Sequence, residues 1–208
     1  MSAPSQLSRG VLASVVSNQV ADVVMFQYNP ESIRRSLKPQ ISSEDAEHTK
    51  EARFTDAPRQ TITFTAYFDA ADALAAGNAT AKTSGIGPQL ALLESLVYPT
   101  RKQIEDRDSD RDSGVMEVVP LTAPSTMLVW GSNRALPVRI ASLEITEDAF
   151  DANLNPIRAS AAISVEVQTY GQRTPTDDDY RRFGAYHQAL EGLGAQARDR
   201  SASQSVKL

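Results

Sequence analysis

No cysteine occurs among the 208 residues, which excludes disulfide staples, thiolate nucleophiles and thiolate metal sites. Histidine is almost as scarce. The two present, His48 and His187, lie in segments of different character and offer neither a metal pair nor a Ser-His-Asp arrangement; solvated surface histidines are the better reading. Cations do not dominate either, with 21 Lys and Arg against 26 Asp and Glu. There is no basic stripe interleaved with aromatics, so a nucleic-acid partner is not expected. No apolar run approaches the roughly 18 residues a membrane-spanning helix needs. Val11–Val16 is too short, and too weakly preceded by positive charge, for a signal peptide. The expectation is a chain made in, and at first kept in, the cytoplasm. No catalytic, cofactor-binding or metal-ligating residue is assigned, and no enzyme is expected.

What the sequence does contain is alternation. In Arg59–Phe68, Ile62, Phe64, Ala66 and Phe68 fall on one face and Thr61, Thr63, Thr65 and Tyr67 on the other, the period-2 pattern of a half-buried strand. Two long arms follow later. Pro137–Thr146 switches phase, Val138 and Ile140 being even and Leu143 and Ile145 odd. One extra residue near Ala141-Ser142 restores a common face, which predicts a β-bulge. The second arm keeps phase, with Ala159, Ala161, Ile163, Val165 and Val167 on one side and Ser160, Ser164, Glu166 and Gln168 on the other. At ~3.3 Å per residue it spans roughly 35 Å, longer than the usual strand.

Between these landmarks, residues 1–19 read as a flexible Ser-rich arm. Val20–Tyr28 reads as a strand stopped by Asn29-Pro30, and Ile33, Leu37 and Ile41 favour a second strand. Residues 42–57 read as a loop, and 70–86, rich in Ala, Gly, Thr and Asn, as a flexible connection. Gly87-Pro88 opens a helix with Leu90, Leu93 and Val97 on one face, widened by Leu92 and Leu96, and Pro99 ends it. Residues 100–125 read as a charged loop holding a short strand at Val115–Val119. A strand at Thr126–Trp130 and a turn at Gly131-Ser132-Asn133 lead into the arms. Trp130 reads as core rather than as a stacking platform. Past a hinge at 171–175, Thr176-Asp177-Asp178-Asp179 resembles a capping box. Tyr180, Phe183, Tyr186, Leu190 and Leu193 then line a helix over about 176–195, which folds back on the domain or docks on a partner. Residues 196–208 read as disordered.

The run Glu105–Gly114 invites a calcium reading, since Asp106, Asp108, Asp110 and Asp112 fall at positions 1, 3, 5 and 7 of a loop with Glu117 at 12. Arg111 stands where such a loop needs glycine, and helical flanks are lacking. A solvated loop is the better reading.

Several segments, in order, resemble one family, the tube-adaptor proteins of contractile injection systems, phage-tail-like particles whose baseplate joins an inner tube to a spike. Val24-Met25-Phe26-Gln27-Tyr28-Asn29-Pro30-Glu31-Ser32-Ile33 is similar to the family's first strand and turn. The Arg59–Phe68 strand, the leucine-rich helix ending in Tyr98-Pro99, and Ser125–Gly131 with its Trp-Gly follow, with Leu154–Ala159 at the hairpin's return. The resemblance covers roughly residues 20–170. It implies a mainly β fold, a tail-tube-like β-barrel or two packed antiparallel sheets with a flanking helix, in which strands from neighbouring copies close a hexameric ring around a lumen. It implies a structural baseplate role, with the spike protein, tube-initiator and inner-tube proteins and other baseplate subunits as partners, in a particle assembled in the bacterial cytoplasm and possible to release from the cell. The peptidoglycan-binding LysM module of many relatives is missing, so its role is not carried over. The expected organisation is an arm at 1–19, a tail-tube-like domain at 20–170 and an extension at 171–208. Rival readings are a tube-initiator or inner-tube subunit, and a monomeric β-rich binding module using calcium at 105–117.

Overall fold

The computed structural model describes residues 8–16, 18–42, 53–114, 121 and 123–202. Among them, seven strands form one antiparallel sheet: β1 (Val11–Val16), β2 (Gln19–Met25), β3 (Arg34–Ile41), β4 (Phe54–Asp69), β5 (Ser125–Val129), β6 (Ala135–Phe150) and β7 (Pro156–Val167). Their spatial order is β2-β1-β5-β6-β7-β4-β3. The helices are α1 (Ala71–Ala75), α2 (Ala79–Ser84), α3 (Gly87–Ser95), α4 (Arg101–Asp112) and α5 (Asp178–Ala202), with a 3-10 turn at Tyr170–Gln172 before α5. The chain is mainly β, as its alternation requires. The sheet is a single one and is not closed into a barrel, which corrects the expectation of a barrel or two separate sheets.

β7 organises the sheet. Ala159, Ala161, Ile163, Val165 and Val167 are each 2% exposed or less. They face Phe68, Ala66, Phe64 and Ile62 across the β4 ladder, pairing Ala159 with Phe68 and Val165 with Ile62. Burying each large apolar side chain of this layer contributes roughly 1.5–3 kcal/mol. On its other side β7 pairs with β6, and the register shifts between Ile140 and Ser142. That shift is the expected bulge. Because Ala141 is the extra residue, Ile140, Leu143 and Ile145 all lie opposite covered positions of β7, namely Val165, Ile163 and Ala161.

The sheet then folds over itself. Leu128, Leu12, Val24 and Phe26 of the β5-β1-β2 end join Ile62, Phe64 and Val165 in one core. The rings of Phe26 and Phe64 lie 5.3 Å apart, and Trp130 lies 6.2 Å from Phe26, so Trp130 is a core residue as read. The Asn29-Pro30 segment laces this fold. Gln27 donates from Nε2 to the Asp69 carbonyl at 2.8 Å and accepts the Asp69 N–H at 2.9 Å, standing in for a strand's peptide group. Asn29 accepts the Gly10 N–H and donates to the Ser8 carbonyl, each at 2.9 Å.

Other expectations change where side chains satisfy the backbone locally. Residues 11–16 of the expected arm are a full strand, since Val11–Val15 pair with Val129–Ser125. The expected connection over 70–86 is helical in two pieces. Asp69 accepts the Ala71 N–H at 2.7 Å, and Asn78 caps α2 by accepting the Ala81 N–H at 3.0 Å. The α3 segment buries Leu90, Leu93 and Leu96 as read, Ile86 joins them, and Val97 is exposed. The charged loop is the helix α4, opened by a Thr100–Gln103 capping box and laced by Arg101–Glu105 and Lys102–Asp106 ion pairs at 2.7 and 2.8 Å. A helix turns alternate acids to opposite sides, so Asp106, Asp108, Asp110 and Asp112 do not converge on a cation, and the calcium-loop reading falls. Of the loop expected over 42–57, residues 54–57 belong to β4, while 43–52 lie outside the described residues, as do Val115–Val119 and Glu117. α5 continues through Ala202, so the expected disorder from 196 does not hold over 196–202.

One glycine ties the helical segment to the hairpin. Gly85 has φ +57°, and a Cβ there would fall 1.9 Å from the Pro156 carbonyl oxygen. That oxygen also accepts the Ile86 N–H at 2.8 Å. Gly85→Ala is expected to destabilise the fold by about 2 kcal/mol or more, because backbone strain and a backbone clash combine. A chemical denaturation midpoint equal to that of the unsubstituted chain would contradict it.

Candidate assembly surface

The alternation that fills the core leaves the other sheet face bare and polar. Across β4, β7 and β6 this face carries Thr63, Ser164 and Ser142 in one row, then Thr65, Ala162 and Glu144 in the next. Arg139 and Glu166, directly opposed, pair at 2.7 Å. A depression of about 330 Å³ runs over the face from Ser32 and Arg34 to Ser142 and Glu144, so the polar side is dished. Small hydroxyl side chains keep the backbone accessible there without offering an apolar grip.

Besides β2, which ends the sheet at its far side, two stretches of edge are open among the described residues. β5 pairs with β6 only over Ala135–Val138, so the outer part of β6, from Arg139 to Phe150, has β7 as its one ladder neighbour among the described residues. β3 pairs with β4 and has no other strand beside it among the described residues. Unpaired N–H and C=O rows of this kind are templates for another strand. The two edges differ in sign. β3 carries Arg34, Arg35 and Lys38 and no acid, whereas the outer part of β6 carries Glu144, Glu147 and Asp148 with no cation after Arg139. All six residues are exposed. The sequence reading did not single out the open edge of β3. The signal for it was there in charges of one sign on one strand and the opposite sign on the other.

The hairpin tip is held rigidly. Asp151 accepts from the N–H groups of Asn153 and Asn155 at 2.7 and 2.9 Å and from Asn155 Nδ2 at 2.8 Å. These bonds, with that of the Asn155 side chain largest, hold the Asp151 carboxyl below its usual pKa. Leu154 is thereby fixed at φ +64° with 79% of its surface exposed.

α5 is clamped at its start and free further on. Asp179 is buried, accepts the Ser125 hydroxyl at 2.8 Å and pairs with Arg182 at 2.8 Å and Arg173 at 3.4 Å. Phe183 and Tyr186 are buried, and Tyr170 packs 4.8 Å from both Tyr180 and Phe183; burial pushes its phenol pKa up. Of the two fates read for this helix, its first half folds back on the domain. Leu190 and Leu193 remain exposed beyond it. His187 touches the Tyr170 hydroxyl at 3.3 Å at the surface, and His48 lies outside the described residues. No cluster of metal-binding side chains is present among the described residues. This geometry is one of edges and faces available to other chains.

Residues 11–174 match the model of the contractile injection system tube protein family. The chain belongs to that family. The match takes in β1, which the resemblance over 20–170 left out, and ends before α5. Membership makes the chain a structural component of a contractile injection system. No curated protein matches the sequence.

Two outcomes follow from the clamps. Asp179→Ala leaves two arginines facing a buried gap and is expected to cost about 3 kcal/mol, whereas Ser125→Ala removes one hydrogen bond and costs about 1 kcal/mol; equal losses in urea denaturation would contradict the assignment. Because the Asp151 carboxyl titrates below its unfolded value, its hold on the tip is complete above about pH 4 and is lost as pH falls through the lowered folded value. Protection of the Asn153 and Asn155 amides, measured against an unstructured chain at the same pH, should fall as the pH drops through that lowered value in the unsubstituted chain and be small already at neutral pH in Asp151→Ala.

Proposed function

We propose that this protein is a ring-forming baseplate adaptor that joins the spike to the inner tube, with a hexameric ring as its working form. The observation that carries the reading is the open outer half of β6, a long strand finished on one side only. Edges of this length are an aggregation hazard in a lone molecule, and closing them around a ring removes the hazard. The dished polar face then turns toward the lumen, because the other face is committed to the core and to α3. The partners are the spike, the tube-initiator and inner-tube proteins and other baseplate subunits, met in the bacterial cytoplasm during assembly of a phage-tail-like particle.

An inner-tube subunit is the second reading, favoured by the family's description. α5 supports the adaptor instead. A tube subunit stacks identically on both faces, and a 25-residue helix outside the shared domain is an addition suited to a one-time junction. On this reading the exposed distal half of α5 docks on another baseplate subunit.

Electron microscopy of particles made with the full chain separates the two. The adaptor predicts one ring between spike and tube; repetition of the chain along the tube supports the second reading, and its absence from the particle axis overturns both. Truncation after Ala189 keeps Phe183, Tyr186 and the Asp179 clamp, so the chain should stay folded by circular dichroism while baseplates fail to complete. Intact baseplates from that variant would remove α5 from the docking role.

A further inference from the structure

The open edges of β3 and β6 fit one another in a single register, and we infer that β3 of one copy seals the outer half of β6 of the next with Lys38 opposite Glu144. The inference rests on the ring reading and adds the joint that closes it. Direction comes first. Neighbours in the section β6-β7-β4-β3 are all antiparallel, so β6 and β4 run one way and β7 and β3 the other. Copies related by rotation about a ring axis keep their strand directions. The β3 of one copy therefore meets the β6 of the next antiparallel, and the alternation continues across the joint.

Register comes next. In an antiparallel pair, setting Lys38 against Glu144 fixes every other partner. Arg35 then falls opposite Glu147, and Arg34 comes beside Asp148 at the irregularity that follows Glu147, so each cation of β3 meets an acid. Between them Leu37 meets Ile145 and Ser36 meets Thr146. Leu37 is 47% exposed in the single chain, and Ile145 is only partly buried, so the joint covers apolar surface that one copy leaves wet.

The faces agree as well. Leu37 lies opposite Gln60, which shares the covered side of β4 with Ile62, and Ile145 lies opposite buried Ala161. Ser36 lies opposite Thr61, and Thr146 opposite Ser160, both on the polar side. A slip of one residue would set apolar positions against polar ones and leave one charge match, Arg35 with Asp148 or Arg34 with Glu147, in place of three. The matched block ends before Pro39, which has no N–H to give a ladder. Charge within the sheet points the same way. Lys38 lies directly opposite Arg59 on β4, a like-charge pair that an acid on the open side relieves.

The absence of cysteine makes the test clean. Ser36→Cys combined with Thr146→Cys in the full chain, concentrated and mildly oxidised, is expected to give a ladder of covalent oligomers on a non-reducing gel. Ser36→Cys with Ile145→Cys, which points to the opposite side, should link at least about tenfold less, because the thiols cannot approach to disulfide distance. Separately, Lys38→Glu should abolish rings seen by negative-stain microscopy, and Lys38→Glu with Glu144→Lys should restore them, a rescue that a merely damaged fold would not give. Rings without the Ser36–Thr146 link, equal linking of the shifted pair, or no rescue overturns the register and leaves the ring reading standing. Neither rings nor links overturns both.

Discussion

Backbone pairing along β7 is the constraint on which the rest depends. This strand has a ladder on both sides and one face of small and branched apolar residues without a break in phase. Ala159 and Ala161 at one end leave room for Phe68 of β4 opposite Ala159, while Phe64 and Ile62 lie opposite Ile163 and Val165 at the other. Since period-2 alternation cannot be shifted by one residue without turning the core outward, β4 and β6 must adapt to β7. β6 does so with an extra residue at Ala141, and the cost of one disrupted ladder step is offset by bringing Leu143 and Ile145 to the covered side.

The same alternation decides which surface remains for other molecules. Covered positions take the apolar residues, so the opposite face is left chiefly with Ser, Thr and Ala, with Glu144 and the Arg139–Glu166 pair among them. Helices pack only where the sequence supplies an apolar stripe, as α3 does with Ile86, Leu90, Leu93 and Leu96. α4 supplies none, has no buried residue and is held by its cap and its i,i+4 ion pairs. α5 changes character along its length, with a buried aromatic start anchored by Asp179 and exposed Leu190 and Leu193 beyond it.

How much of this was legible in the sequence follows from where the information is local. The faces of β4 and β7, the bulge in β6 and the stop at Asn29-Pro30 are set by neighbouring residues and were readable directly. β1 was not, because its sequence Val-Leu-Ala-Ser-Val-Val has no alternation, and beside its neighbour β2 it pairs with β5, more than a hundred residues away. α1 and α2 were missed because Asp69, which accepts the Ala71 N–H, and Asn78, which caps α2, also suit turns. The run Glu105–Gly114 misled because period-2 spacing of acids has meaning only in a loop, and the cap at Thr100 that makes it a helix lies outside the run. The open sheet was beyond reach, since alternation specifies a face and not whether the last strand meets the first.

The order of strands has a consequence for how this protein comes off the ribosome. β1 pairs with β2 and β3 with β4 early in the chain, yet the two hairpins have no strand in common. They are joined through β5, β6 and β7, with Thr61 on β4 waiting for Glu166 on β7. Closing a loop of that length costs more entropy than a local hairpin, and the contacts that repay it arrive last. A nascent chain halted before residue 156 therefore displays two detached ribbons with raw borders. The keystone is the last of the seven strands to be translated, so the sheet cannot close until β7 has been made.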